Sequence, residues 1–165
     1  MNKDSVSIII PCFNGEKYLE EAINSVLNQS YKNFNLFLIN NGSTDNSLEI
    51  MRKFEKIDSR IKVISYEKKT SRGHSVNEIL NISNDKWISL LDTDDIMLPY
   101  KTEIQINFLK KNPSVKIVSG LGTYINTENN KTYGKSVSPI VDFNTCFELI
   151  NKGKNISTMP SCVIF

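Results

Sequence analysis

Metal-thiolate and metal-imidazole chemistry has little to work with in this chain. Of 165 residues, one is histidine (His74) and three are cysteine (Cys12, Cys146 and Cys162), far apart and without C-x-x-C spacing. Ligand count and spacing argue against a structural zinc site. The odd number of cysteines points to reduced thiols in a cytoplasmic protein. Cys12 and Cys162 lie in apolar runs that suit buried, inert thiols. Charge of one sign is also scarce. Twenty Lys and Arg against 18 Asp and Glu leave a net +2, too weak a field for a nucleic-acid binder, so no nucleic-acid partner is expected. The pairs Lys68-Lys69 and Lys110-Lys111 read as solvated surface. The longest apolar run, Val6 to Phe13, cannot cross a bilayer. Met1 to Ser5 is too short and polar for a signal peptide. The absence of G-x-G-x-x-G argues against a dinucleotide fold. Pro11-Cys12-Phe13-Asn14-Gly15 has one glycine and no arginine, unlike the glycine-rich basic loop that grips a triphosphate in nucleotidyl transfer. No repeat, low-complexity tract or linker is visible, and the length fits one domain with its own core.

What is present is an alternation of strand and helix patterns. Val6 to Ile10 is a continuous apolar run of the kind found in strands covered on both faces, and Pro11 is expected to end it. Gly15 to Asn28 carries Tyr18, Leu19, Ala22, Ile23, Val26 and Leu27 at helical spacing. Phe34 to Ile39 reads as a second strand and Asn40 to Ser43 as a turn. Ser43 or Thr44 is placed to cap a helix reaching about Lys56, with Ile50, Met51 and Phe54 inward. Ile61 to Ser65 reads as a strand, Lys68 to Gly73 as a loop, Ser75 to Ile82 as a short helix, and Trp87 to Leu91 as a fourth strand. Pro99 opens a helix whose apolar stripe is Ile104, Phe108 and Leu109, stopped by Asn112-Pro113. Beyond it the signal weakens. Strands are expected at Val115 to Ser119, Gly122 to Asn126 and Ser161 to Phe165, a turn at Glu128 to Asn130, and a helix at Val141 to Ile150.

Strands alternating with helices imply crossover connections and a mostly parallel sheet. Ligands bind such sheets beyond the carboxyl ends of the strands. Pro11 to Asn14, Asn40 to Ser43, Lys68 to His74 and Asp92 to Asp95 all fall at those ends, so one edge gathers all four. In the last of them, Asp92, Asp94 and Asp95 put three carboxylates within four positions after an apolar strand. Like charges that close need a counter-charge, and carboxylate oxygens suit Mn2+ or Mg2+. The competing reading is a helix cap with an acidic first turn.

The run Ser5-Val6-Ser7-Ile8-Ile9-Ile10-Pro11-Cys12-Phe13-Asn14 resembles the opening strand of family-two inverting glycosyltransferases with a GT-A fold. Glu16 to Leu19, Ser25 to Tyr31, Asn41 to Ser47 and Leu91 to Asp95 continue the resemblance, collinear from about Ser5 to Leu109. The resemblance implies a three-layer αβα sandwich with a mostly parallel sheet. It implies a nucleoside-diphosphate sugar donor, UDP-sugars favoured, and a glycan or lipid-linked acceptor. Base and ribose contacts map to Pro11, Phe13, Asn40 and Asn41, with Asn14 and Thr93 beside them; Arg72 and Asn77 belong to the same nucleotide-sugar set. The D-x-D pair maps to Asp92 and Asp94, with Asp95 adjacent, holding Mn2+ or Mg2+ against the diphosphate.

This chain departs from the pattern in three places. Asn40 and Asn41 stand where aspartates are usual; either amide oxygen can still accept from a base N–H, and an Asn-Gly turn without ligand role is the other reading. Val76 stands where a basic residue is usual before the asparagine matched by Asn77. Arg72 either supplies that phosphate contact or is exposed loop, and His74 reads as surface more readily than as a base. The third departure is at the chain end: the general base and acceptor region are expected beyond Phe165, so residues 1–165 are read as one GT-A domain, incomplete at its C-terminus and offering no catalytic residue. A non-catalytic nucleotide-sugar-binding or interaction domain is the alternative. Further expectations are peripheral association of a full-length form with the inner membrane face, and a homo-oligomer.

Overall fold

The computed structural model describes residues 4–120, 122–126, 131–135 and 163–164. The elements run β1 (Val6–Cys12), α1 (Glu16–Leu27), β2 (Phe34–Asn40), α2 (Ser47–Ile57), β3 (Ile61–Ser65), α3 (Arg72–Ile82), β4 (Trp87–Leu90) and α4 (Lys101–Lys111). Short strands β5 (Val118–Ser119), β6 (Thr123–Ile125), β7 (Thr132–Lys135) and β8 (Val163–Ile164) follow. The main sheet has the order β3-β2-β1-β4-β8-β5. The first four strands are parallel, and β8 runs antiparallel between β4 and β5. The expected turn at Glu128 to Asn130 and helix at Val141 to Ile150 lie outside the described residues, as do Cys146 and Cys162. Among the described residues, no helix is long and apolar enough to cross a membrane.

Strand alternation divides the side chains into two cores. Val6, Ile8, Ile10, Leu36 and Leu38 meet Leu19, Ala22, Ile23 and Val26 of α1, Met51 and Phe54 of α2, and Ile106 and Leu109 of α4. Ile9, Phe37, Ile39 and Ile88 meet Ile79 of α3 on the other face. Helices therefore cover both faces of a mostly parallel sheet, as the continuous apolar runs of β1 and β2 require.

Several expected details are corrected. Pro11 does not end β1, which continues to Cys12 in register with Asn40. Ile9 O accepts from Leu91 N on the β4 side, so Pro11, two residues on, turns its missing N–H toward that same side. There β4 pairing has already stopped at Leu90, and no ladder bond is lost. The N-cap of α2 is Asn46, not Ser43 or Thr44, because both hydroxyls are engaged with Asn14: Ser43 Oγ accepts from Asn14 N and Thr44 Oγ1 donates to Asn14 Oδ1. The helix α3 starts at Arg72, three residues early, since Ser71 Oγ accepts from His74 N and caps it. The buried stripe of α4 is Thr102, Gln105, Ile106 and Leu109. Ile104 and Phe108 face outward, 65% and 47% exposed. Hydrogen bonds from Thr102 to buried Gln29 set that rotation.

A half-buried polar knot closes the far edge of the sheet, away from the loops described below. Asp85 Oδ2 accepts from Ser7 Oγ at 2.6 Å, and both its oxygens accept from Asn35 Nδ2, at 2.8 and 3.0 Å. Burial pushes the Asp85 carboxyl up, but hydrogen bonds from Ser5, Ser7 and Asn35 more than offset it and hold the group below the usual range. A depressed folded pKa means the contribution is complete above the unfolded value of about 3.9 and is lost as pH falls through the folded one. Asp85→Asn sets an amide donor against existing donors. It should cost about 1–3 kcal/mol at pH 7 by urea unfolding and flatten the loss of stability below about pH 4. An unaltered urea midpoint would show that the knot contributes nothing.

Candidate functional site

Parallel register sets the site. The ends of β1, β2 and β3 are level, Cys12 opposite Asn40 and Asn40 opposite Ser65, while β4 stops lower. The turn Asp92 to Asp95 fills the resulting step. It is closed by Asp95 N donating to Asp92 O at 3.1 Å, and Thr93 Oγ1 donates to Pro11 O at 3.2 Å. A Cβ at Gly15 would lie 2.4 Å from Thr93 Cγ2 and 2.9 Å from Cys12 Sγ, so glycine is what lets the start of α1 approach this turn.

The loops after β1 and β2 are laced together. Asn14 N donates to Ser43 Oγ at 3.0 Å, Gly15 N to Ser47 Oγ at 2.9 Å and Glu16 N to Asp45 Oδ2 at 3.0 Å. In return, Thr44 N donates to Asn14 Oδ1 at 2.8 Å and Asn46 N to Glu16 Oε2 at 2.9 Å. Asp45 thus satisfies a free N–H at the start of α1. Asn14 sits at φ 53°, a conformation asparagine tolerates better than most residues. The Asn40 side chain is used twice: its Oδ1 accepts from Ser43 N at 2.9 Å and its Nδ2 donates to Ser65 Oγ at 3.0 Å.

Between these loops and the start of α3 lies a cleft of about 360 Å³. Pro11 and Phe13 line it from the first loop, Asn41 from the second, Lys69 to Arg72 from the third and Asp92 to Asp94 from the fourth. Asn41 is buried and its Oδ1 has no protein partner, so a hydrogen-bond acceptor stands uncommitted there. The Phe13 ring is 42% exposed, and Lys69 Nζ lies 4.2 Å from its centroid. Arg72 Nη2 donates to Asp92 Oδ1 at 2.6 Å. Burial pushes the Asp92 carboxyl up, Arg72 pulls it down, and Asp95 and Asp94 push it up again; the net direction is upward. Nearby, Tyr66 donates its hydroxyl to Glu78, and burial followed by that carboxylate pushes its pKa up to about 12. The contact ties α3 to the end of β3.

Of the residues singled out from sequence, the cleft gathers Pro11, Phe13, Asn41, Arg72, Asp92, Thr93 and Asp94. Asn14, Asn40, Asn77 and Asp95 do not line it. The first two hold loops, and Asn77 is exposed on α3. Lys69, read as solvated surface, lines the cleft instead, together with Thr70 and Ser71. Its position four residues after the end of β3, in a loop at the carboxyl edge of the sheet, was the signal available. Among the described residues, no group of three His, Cys, Asp or Glu side chains is arranged to hold a metal. The cleft offers two carboxylates, Asp92 and Asp94, and the number suits a cation that keeps waters and takes phosphate oxygens as its other ligands.

Residues 7–162 match the family described as glycosyl transferase family 2. The chain is 36% identical over 134 residues to the UDP-Glc:alpha-D-GlcNAc-diphosphoundecaprenol beta-1,3-glucosyltransferase WfgD of Escherichia coli, covering 81% of this chain and 51% of that one. It superposes on S. aureus TarS 1-349 in complex with UDP-GlcNAc with a TM-score of 0.71 at 20% identity, covering 98% of this chain and 45% of that one. A mannosyltransferase, PcManGT from Pyrobaculum calidifontis, in complex with GDP-Man and Mn2+, gives a TM-score of 0.60 at 18% identity, covering 75% and 36%. At these identities the two structures speak for the fold, a GT-A arrangement. The chain spans between 21% and 59% of the length of the curated relatives it matches.

Proposed function

The chain belongs to glycosyl transferase family 2, and we propose on that basis that its cleft binds a nucleoside-diphosphate sugar, UDP favoured. The protein that contains it transfers the sugar, with inversion, to a glycan or lipid-linked saccharide. The observation that carries this reading is the company kept in one cleft: an unpartnered buried acceptor on Asn41, an exposed Phe13 ring, two cations and two carboxylates. Asn41 Oδ1 accepts the ring N–H of uracil, and Phe13 offers the base an aromatic face. Lys69 and Arg72 face the diphosphate, Arg72 with the planar fork that matches phosphate. Asp92 and Asp94 would hold a Mn2+ or Mg2+ ion, which when bound supplies Lewis acidity for the departing nucleoside diphosphate. Thr93, held against Pro11 O, fixes the backbone between the two carboxylates.

The test is calorimetric titration of UDP into the protein with saturating manganese. Asp94→Ala should lower the affinity at least about tenfold, the loss of one charged cation ligand. Equal affinity in both proteins would remove the support for the site.

A further inference from the structure

We infer that Arg72 is a resident counter-cation of the acidic turn that exchanges partners when a metal–nucleotide complex arrives, so that metal and nucleotide are taken up together. This rests on the donor-site reading above and adds a positioning role for one residue. Arg72 opens α3, directly after the capping residue Ser71, and its guanidinium reaches across to Asp92 Oδ1 at 2.6 Å. Both residues line the cleft. The side chains are 43% and 29% exposed, so the pair is within reach of an incoming ligand. Because arginine keeps its charge at all working pH values, an incoming ligand always meets a charged guanidinium.

A metal ion alone must take Asp92 from Arg72 and gives the guanidinium nothing in return. A free diphosphate alone must take Arg72 from Asp92, and that ion pair is lost beside Asp94 and Asp95. When both ligands arrive together, each group gains a partner: Asp92 turns from Arg72 to the metal, and Arg72 turns from Asp92 to a phosphate oxygen. The coupling is reciprocal, so nucleotide strengthens metal binding by the same factor as metal strengthens nucleotide binding.

Two titrations of the intact chain test this: free Mn2+ followed by electron paramagnetic resonance without nucleotide, and UDP by calorimetry at saturating manganese. Arg72→Ala should bind manganese alone up to about fivefold more tightly, since a partly exposed ion pair is worth up to about 1 kcal/mol. The same variant should bind UDP with manganese about tenfold more weakly, through loss of a charge-assisted phosphate contact. Arg72→Lys, which keeps the charge, should return manganese-alone affinity to the wild-type value. Opposite signs in the two titrations are the signature, because a purely structural role weakens both and a simple phosphate contact leaves manganese alone unchanged. Manganese affinity unchanged or reduced in Arg72→Ala overturns the exchange. Failure of the wild-type protein to bind UDP even at saturating manganese overturns the donor-site reading instead, and is read from a different protein.

Discussion

Gly42→Ala should cost about 3 kcal/mol of stability and at least about tenfold in UDP affinity. Two effects combine. Gly42 has φ +80°, where an L side chain is strained by about 1–2 kcal/mol. The added Cβ would also lie 2.5 Å from the Lys68 carbonyl carbon, 2.7 Å from Lys69 N and 2.8 Å from Lys68 O. Those are backbone atoms, so no rotamer change relieves the overlap, and the third loop must back away. The seam that moves carries a bond from Thr70 N to Asn41 O at 3.3 Å, and beyond it Lys69 and Arg72, the cations of the cleft. Gly42→Asn separates the two effects, since asparagine tolerates positive φ but brings the same Cβ. If contact dominates, Asn is about as damaging as Ala; if φ dominates, Asn recovers most of the loss. A change below about 0.5 kcal/mol for both in urea unfolding would mean that the two loops do not meet as described.

The sequence announced the sheet edge better than the residues upon it. Continuous apolar runs followed by polar segments are enough to place β1 to β4 in parallel and bring four loops together, because crossover geometry leaves few alternatives. The register of α4 was less legible. Ile104 and Phe108 satisfy helical spacing, but Thr102 is drawn inward by its bonds to Gln29, a partner 73 residues away that periodicity cannot report. The same holds for Asn40 and Asn41. They are adjacent, chemically identical and equally eligible from sequence, yet one amide is spent on Ser43 and Ser65 while the other keeps a free acceptor in the cleft. Strand alternation turns neighbours to opposite sides, and only the backbone decides which faces the ligand. Ser43, Asp45 and Ser47 belong to the stretch that carries the family resemblance, but what they do here is tie the second loop to the start of α1.

Gln29→Ala should produce the other large loss, about 3–4 kcal/mol by urea unfolding. Gln29 is fully buried just after α1. Its Nε2 faces Ser25 O, Met97 O and Leu98 O at 3.2, 3.3 and 2.7 Å. Its Oε1 accepts from Thr102 N at 3.1 Å and Thr102 Oγ1 at 2.9 Å. Around it, Met97 N donates to Ser25 Oγ at 3.0 Å, Ser30 N to Pro99 O at 2.8 Å and Ser30 Oγ to Glu103 Oε2 at 2.6 Å. The Gln29 amide is therefore the centre of a clasp on the passage from Met97 to the start of α4. Truncation takes the amide away from three carbonyls and two Thr102 donors, and opens a cavity as well. Gln29→Leu retains most of the volume and isolates the hydrogen-bond part, so it should fall between wild type and Gln29→Ala. Because the clasp begins at Met97, after Asp95, UDP affinity measured well below the unfolding midpoint should change far less than stability does. A Gln29→Ala protein as stable as wild type would show that this passage is held by packing alone.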